Sequence, residues 1–559
     1  VIITVGLLVV AGRLVYLQVV AAPAFAQQAA DQRTREITLS PRRGAIYDRE
    51  GEPLAVSMDA RTIYAVPHAV RDVPGTAAAL ARILGDEPAT YEEKLSKDTG
   101  FVYIARKVDV ERASALEALE LRGVYFLEDS RRSYPAGELA CQTLGFVGVD
   151  DEGLAGLEQY YDAVLAGEPG YVLAERDPRG RRIPGGVMYE EDPVHGSSIV
   201  LTIDTDIQYQ AQVELTAAVE TWGAKSGSVV VMDPRNGAIY AMATVPGFDP
   251  NSFGEVDPSR YRNRSVTDVY EPGSTMKSLT AAAVIDAGLY GPESVFELPP
   301  SIEVGGRRIG EAHPRPTVNW SLTEIVTNSS NVGAVKLGMA LGPESLHGYL
   351  TRFGLCEATG VDYPGETVGY LPPVEQWSGS SIGNIPFGQG VSMTGLQLAR
   401  AMSAIANGGE LVTPHFLLSL PEDPDTELLW PKKRAISEEA AAATREVLKA
   451  VVTDGTGGNA AVPGYEVAGK TGTAQKALSG GGGYAAGAYV GSFVGFLPAD
   501  DPQVLILVTL DEPSNAIYGG TVAAPTFQAL AQFCVSHLKV PPASVAISND
   551  ETATAAPSP

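Results

Sequence analysis

Glu271-Pro272-Gly273-Ser274-Thr275-Met276-Lys277 places a hydroxyl and an amine three residues apart, directly after a Pro-Gly stop. The small and apolar residues that follow, through Thr280-Ala281-Ala282-Ala283, predict a helix opened by Ser274. Positions i and i+3 share a helix face, so the Lys277 amine can reach the Ser274 hydroxyl. The helix N-terminus adds partial positive charge and free N–H groups, which favour an alkoxide or oxyanion at Ser274. Taken alone, Ser-x-x-Lys is more often a helix cap beside a solvated charge. What changes its meaning is the pair of motifs downstream.

Ser329-Ser330-Asn331 follows a short helical run, Leu322–Thr327. Ser329 can relay a proton between Ser274 and an amine, and Asn331 offers the donor and acceptor that a peptide amide needs. Lys470-Thr471-Gly472-Thr473 lies on a strand predicted over 466–473. Lys470 and Thr471 can hold a carboxylate. Gly472 lets a ligand approach the backbone closely. The Thr473 N–H, with that of Ser274, can form an oxyanion hole. An ammonium cannot accept a proton, but desolvation and a neighbouring cation both lower a lysine pKa. Lys470 supplies that cation to Lys277 if the fold brings the two together. The ordered trio then performs acyl transfer with neither histidine nor metal.

The same region satisfies a second pattern. Gly464-Tyr465-Glu466-Val467-Ala468-Gly469-Lys470-Thr471 matches the phosphate-binding G-x-x-x-x-G-K-[ST] loop. That loop needs a strand before it and a helix after it. Here 455–463 has loop composition, and Ser479-Gly480-Gly481-Gly482-Gly483 would break a following helix. The nucleotide reading is rejected.

At 559 residues, with 45% apolar and 19% charged content, the chain suits several globular domains at about 150 residues each. Its formal charge of -26 excludes nucleic acid binding through the overall field. The 3 cysteines, Cys141, Cys356 and Cys534, form no C-x-x-C pair and are expected as isolated buried thiols. The 6 histidines form no H-E-x-x-H pattern, and no metal or cofactor is expected.

Residues 1–12 are apolar or small apart from Thr4, and Arg13 interrupts before Leu14 resumes the run. Twelve such residues fall short of the ~20 that cross a bilayer. The chain opens on Val1, so part of the span is expected to be missing. A membrane anchor over 1–22 is favoured over a signal peptide cut near Ala24-Phe25-Ala26. Either reading puts the rest of the chain outside the cytoplasmic membrane.

Between the anchor and Ser197, a helix is expected over 153–165, with Leu154, Leu157, Tyr161 and Leu165 on one face. A basic, Gly-containing loop is expected over 179–186. A second unit opens with a strand over 198–203 and helix Thr205–Trp222, N-capped by Asp204. Strands over 227–232 and 238–243 flank the turn Asp233-Pro234-Arg235-Asn236-Gly237. Helices dominate 274–407, and strands return over 465–472, 489–496 and 504–510. A helix over 521–540 closes the unit, and a disordered tail is expected over 541–559. Strands at both ends with helices between predict an antiparallel sheet with an inserted helical subdomain, the α+β class.

The trio, its order and its spacing resemble the penicillin-binding transpeptidases. Ser330 stands where that pattern carries Asp, with Ser329 and Asn331 in place. Arg43-Gly44-Ala45-Ile46-Tyr47-Asp48-Arg49, Arg132-Ser133-Tyr134-Pro135 and Gly156-Leu157-Glu158 resemble motifs of the non-catalytic module of class B penicillin-binding proteins. Gly388-Gln389-Gly390 is similar to a further landmark. The resemblance implies a transpeptidase/β-lactamase-like domain over 197–540, on an elongated pedestal or dimerisation domain over 36–190. It implies a peptidoglycan D,D-transpeptidase of septal wall synthesis that acts on stem peptides and is inhibited by β-lactams. Ser274 would be the nucleophile and Lys277 the base. Ser329 would pass protons, Asn331 would align the peptide, and Lys470 and Thr471 would bind the terminal carboxylate. The implied partners are a membrane-embedded lipid II polymerase and divisome proteins. A D,D-carboxypeptidase or β-lactamase would share the trio, and so would a β-lactam-binding sensor or scaffold.

Overall fold

The computed structural model describes residues 2–22, 34–176, 182–478 and 483–542. The polar stretch before residue 34, the Gly480-Gly481-Gly482 run and the tail from 543 onward lie outside the described residues.

At the N-terminus, Arg13 does not end the helix. Ile2–Val20 is one continuous exposed helix of 19 residues, long and apolar enough to cross a membrane. The Arg13 guanidinium lies over the Tyr16 ring.

The centre of the molecule is a five-stranded antiparallel sheet. Its order is Ile239–Val245, Ser226–Met232, Val504–Asp511, Tyr484–Leu497, Ala468–Ala477. The last strand lies at the edge. Both faces are covered, so the inner strands are mostly apolar, and the buried hydroxyls of Ser228 and Thr509 pair with each other. Val229 and Val231 face helices Thr205–Trp222 and Ala524–His537, while Val230 and Met232 face a larger helical core. That second core holds helices Met276–Asp286, Gly395–Ala406 and Glu438–Thr453. Asp204 caps Thr205–Trp222 by accepting from the Ile207 N–H, as its position predicts.

The N-terminal region has two allegiances. Strands Val102–Asp109 and Val124–Ser133 flank Pro53–Ala65 and, with three helices, enclose a separate core around Ile63, Leu80, Tyr91 and Leu116. Ile46, Leu54, Tyr134, Leu157 and Leu165 instead join the large core of the catalytic half. The strand Ile199–Leu201 pairs with Ile46–Tyr47 and Leu417–Ser419 and does not enter the central sheet.

Two local expectations change. The helix expected over 153–165 is two short ones, Gly156–Tyr160 and Asp162–Leu165. Gly153 is held in a bridge to Val147 and Gly156 has φ +60°, so no helix can start earlier, and Leu154 is left exposed. Of the basic loop, residues 179–181 are outside the described residues, and 182–186 begin a strand, Arg182–Glu191. Pairing with Gly170–Arg176 overrides the weak strand propensity of Pro184-Gly185-Gly186, which falls where the register shifts. Among the cysteines, Cys141 and Cys534 are buried, but Cys356 is exposed, with its sulfur accepting from the Leu371 N–H.

Candidate active site

Ser274 sits in a single 3₁₀ turn, Gly273–Thr275, that runs straight into helix Met276–Asp286. Gly273 has φ +55°, and its N–H donates to the Gly388 carbonyl. A side chain on Gly388 would stand 2.2 Å from the Gly273 carbonyl oxygen, so the two glycines clasp the turn backbone to backbone. Glu271 fastens the approach by accepting from the Gly390 N–H and the Tyr484 hydroxyl. The i, i+3 spacing does what it predicts: Lys277 Nζ lies 3.1 Å from Ser274 Oγ.

The second motif is a junction between helices. Helix Leu322–Thr327 ends with the Ser329 N–H on the Val326 carbonyl and the Ser330 N–H on the Ile325 carbonyl. This is the paired closure that usually places glycine at the left-handed position. Ser329 occupies that position at φ +55°, a conformation that costs about 1–2 kcal/mol outside glycine. Ser330 then caps helix Asn331–Leu341 by accepting from the Gly333 N–H. The strained turn aims both the carbonyl and the hydroxyl of Ser329 at Lys277 Nζ, at 2.6 and 3.1 Å. Asn331 Oδ1 accepts from the same amine at 2.8 Å.

Four oxygens thus surround one nitrogen. The Ser329 carbonyl and Asn331 Oδ1 can only accept, so they take two N–H groups. In a neutral amine the lone pair is left for the hydroxyls of Ser274 and Ser329, which can donate. Lys277 is 1% exposed. Its pKa is driven well below the ordinary lysine value by burial first and by Lys470 second, with Glu311 pulling the other way.

Lys470 comes from the edge strand and is wholly buried. Burial brings its pKa down to about 7. Its amine donates to Thr471 Oγ1 at 3.2 Å, and that hydroxyl meets Thr456 Oγ1 at 3.0 Å. The edge strand packs on the Ser274 turn. A side chain on Gly472 would stand 2.3 Å from Ser492 Oγ and 3.1 Å from Thr275 Cγ2. Gly472 therefore makes room for the protein's own turn, a use distinct from the expected approach of a ligand. Thr473 Oγ1 accepts from the Gly519 N–H. Lys470-Thr471 lies inside a strand that continues to Ala477, and the next element among the described residues is strand Tyr484–Leu497, which agrees with rejecting a phosphate loop.

The motifs did not reveal Glu311. Its carboxylate accepts from the Ser330 hydroxyl at 2.6 Å and the Asn331 N–H at 2.7 Å, and it pairs with Arg315. Thr456 and the facing rings of His313 and Tyr518 were also unmarked.

Residues 227–532 match the penicillin binding protein transpeptidase domain, and residues 38–201 match the penicillin-binding protein dimerisation domain. The chain is 38% identical to stage V sporulation protein D of Bacillus subtilis, across 96% of this chain and 84% of that one. It belongs to the class B penicillin-binding proteins. Identity to the peptidoglycan D,D-transpeptidase FtsI of Escherichia coli is 33%, across 93% of this chain and 87% of FtsI. Among solved structures, penicillin binding protein 3 of Mycobacterium tuberculosis, complexed with aztreonam, superposes with a TM-score of 0.72 at 33% identity, over 91% of this chain and 98% of that one. Of the residues singled out in the sequence, Ser274, Ser329 and Asn331 place oxygens on the Lys277 amine, while Lys470 acts on it through charge.

Proposed function

We propose that this chain is a peptidoglycan D,D-transpeptidase that cross-links stem peptides through an acyl-enzyme on Ser274. The observation that carries the reading is the Lys277 amine. It is buried, has its N–H groups engaged by pure acceptors, and lies 3.1 Å from the Ser274 hydroxyl.

In acylation the Ser274 Oγ–carbon bond forms at the carbonyl between two D-alanines, and its proton passes to Lys277. An oxyanion at that carbonyl takes the N–H groups of Ser274 and Thr473. The peptide C–N bond then breaks, and Lys277 returns the proton through Ser329 to the departing D-alanine amine. An amine of a neighbouring stem attacks the ester, gives its proton back along the same path, and leaves Ser274 free with a new cross-link made. Asn331 aligns the stem peptide. Lys470 and Thr471 take its terminal carboxylate. The arriving anion favours the Lys470 ammonium, and that charge favours neutral Lys277, so substrate binding prepares the base. β-Lactams present the same carboxylate and a strained amide, and acylate Ser274 without a ready exit.

We assign the anchor to 1–22, the pedestal to 36–190, the transpeptidase domain to 197–540 and a tail to 541–559. The apolar N-terminal helix supports a single membrane pass, and the substrate of the proposed reaction puts the catalytic domain outside the cytoplasmic membrane. The setting is wall growth at a septum, in division or sporulation, beside a membrane-embedded lipid II polymerase and divisome proteins.

A fluorescent penicillin should label the wild type and fail on Ser274→Ala. Labelling that survives the substitution refutes the nucleophile. With donor stem peptide and an acceptor amine, cross-linked dimers are expected. Free D-alanine and trimmed stems without dimers would make the enzyme a carboxypeptidase.

A further inference from the structure

We propose that Glu311 is a positioning residue for acyl transfer. Its carboxylate fixes the Ser329–Asn331 turn, its charge opposes that of Lys470 on the Lys277 amine, and Arg315 moderates that charge. The inference rests on the acyl-transfer reading above.

Glu311 follows the hairpin made by Ser301–Val304 and Arg307–Gly310, in a segment with no recognisable motif. Its side chain is 7% exposed. One carboxylate oxygen accepts from the Ser330 hydroxyl and the other from the Asn331 N–H. The neighbouring Gly310 carbonyl takes Asn331 Nδ2 at 3.1 Å, which orients Asn331 Oδ1 toward Lys277. Both residues after the strained Ser329 are therefore tied to one point. A left-handed serine persists only where its surroundings over-determine it, and this tether is the observed means.

The charge matters as well as the hydrogen bonds. The ionised groups acting on Lys277 are Lys470 from the edge strand and Glu311 from this segment. Arg315 stands behind Glu311, itself held by the Leu298 and Pro316 carbonyls and stacked 4.8 Å from the Trp320 ring centroid. Lys470 favours the neutral, proton-accepting amine, and Glu311 favours the ammonium. Burial does most to lower the pH at which Lys277 becomes a base, the contest between the two charges then adjusts it, and Arg315 weakens the anionic side.

The sign of each substitution follows. Acylation falls as acid protonates Lys277, which defines an acid limb in the rate. Glu311→Gln removes the anion, so the limb should move to lower pH, by about one pH unit. An amide has one acceptor oxygen where two donors need one each, so the plateau rate should also fall, about tenfold or more. Arg315→Met leaves Glu311 unopposed, and the limb should move to higher pH. Glu311→Asp keeps the charge and should return the limb to its wild-type position.

The experiment is penicillin acylation of the full-length chain in detergent, timed across pH for the wild type and these variants. Shifts of opposite sign for Glu311→Gln and Arg315→Met support the inference, since general loosening cannot produce both. A Glu311→Gln limb that superposes on the wild type, or moves upward, overturns it whatever the plateau does. If Glu311→Gln does not fold, Arg315→Met decides: a limb that stays or moves downward overturns it. A wild type that is never acylated would instead remove the transpeptidase reading itself.

Discussion

Replacing Lys470 with methionine should make the protein more stable and nearly inactive. Lys470 is fully buried and titrates at about 7, against an ordinary 10.5. At about 1.4 kcal/mol per pH unit, burying the ammonium costs ~5 kcal/mol. At neutral pH, where the folded group is partly deprotonated, the burden on folding is about 4 kcal/mol. The amine recovers some of that through two long hydrogen bonds to Thr471, at 3.2 and 3.4 Å. These are worth about 1 kcal/mol each. Methionine fills similar volume without charge, so Lys470→Met should gain roughly 2 kcal/mol near pH 7. The sign with pH is definite. Folding lowers the pKa, so the unfolded chain holds more protons between about 7 and 10.5, and wild-type stability rises across that window. The burden is full below about 7 and absent above 10.5. The variant's advantage should be largest near pH 6 and reverse near pH 10.5, where only the lost hydrogen bonds remain. Losing this cation also relieves Lys277, which adds to the gain. Thermal melting of both proteins across pH measures this, and penicillin acylation should fall about 100-fold or more. A melting shift that is the same at pH 6 and pH 9, or a loss of stability at pH 6, refutes the account of Lys470 as a buried amine whose charge burdens folding.

Two further substitutions probe the supports of the site. Gly388→Ala puts a methyl 2.2 Å from the Gly273 carbonyl oxygen at φ +84°, so the Ser274 turn must shift and acylation should slow at least tenfold; unchanged labelling kinetics would show the clasp to be dispensable. Glu158 is fully buried and accepts from Arg43 Nε at 2.7 Å and Arg132 Nε at 2.6 Å, so Glu158→Ala leaves buried Arg132 without a carboxylate and Arg43 with Asp162 alone, and should cost about 3–5 kcal/mol. Denaturant melts of the full chain would read that loss, and a cost below about 1 kcal/mol would mean that water or repacking replaces the carboxylate.

How much of this was legible depends on how local each cause is. Ser274 and Lys277 share one helical turn, so their contact follows from spacing alone. Thr205–Trp222 carries its own cap and was readable to the residue. The meeting of Lys470 with Lys277 is a property of sheet order, and only the resemblance foretold it. Ser329 looks like an ordinary polar loop residue, because its left-handed backbone is imposed by the two helices it joins. Glu311 was invisible for a similar reason: nothing in Arg-Ile-Gly-Glu-Ala-His marks a carboxylate that will bond 19 and 20 residues downstream. Nor does an apolar pattern say which core will receive it, which is why Ile46, Leu157 and Leu165 could not be assigned to the catalytic half from sequence.

That shared core bears on how the two halves of the chain act together. The strand Pro53–Ala65 has Leu54 in the large core and Ile63 in the separate N-terminal core, so one continuous backbone belongs to both. Its neighbour Ile46–Tyr47 pairs with Ile199–Leu201, which pairs with Leu417–Ser419. The residues just before Leu417 bond back to the central sheet, the Ile239 N–H donating to the His415 carbonyl. An unbroken hydrogen-bonded path therefore runs from the N-terminal strands to the sheet whose far edge carries Lys470. Arg43, Arg132 and Glu158 lock the base of that path with buried charge, and Tyr161 closes it by donating to Asp362 at 2.5 Å. Buried ion pairs add little net stability but penalise every misplaced register. The N-terminal strands and the catalytic sheet are thus joined by backbone pairing and by buried charge together.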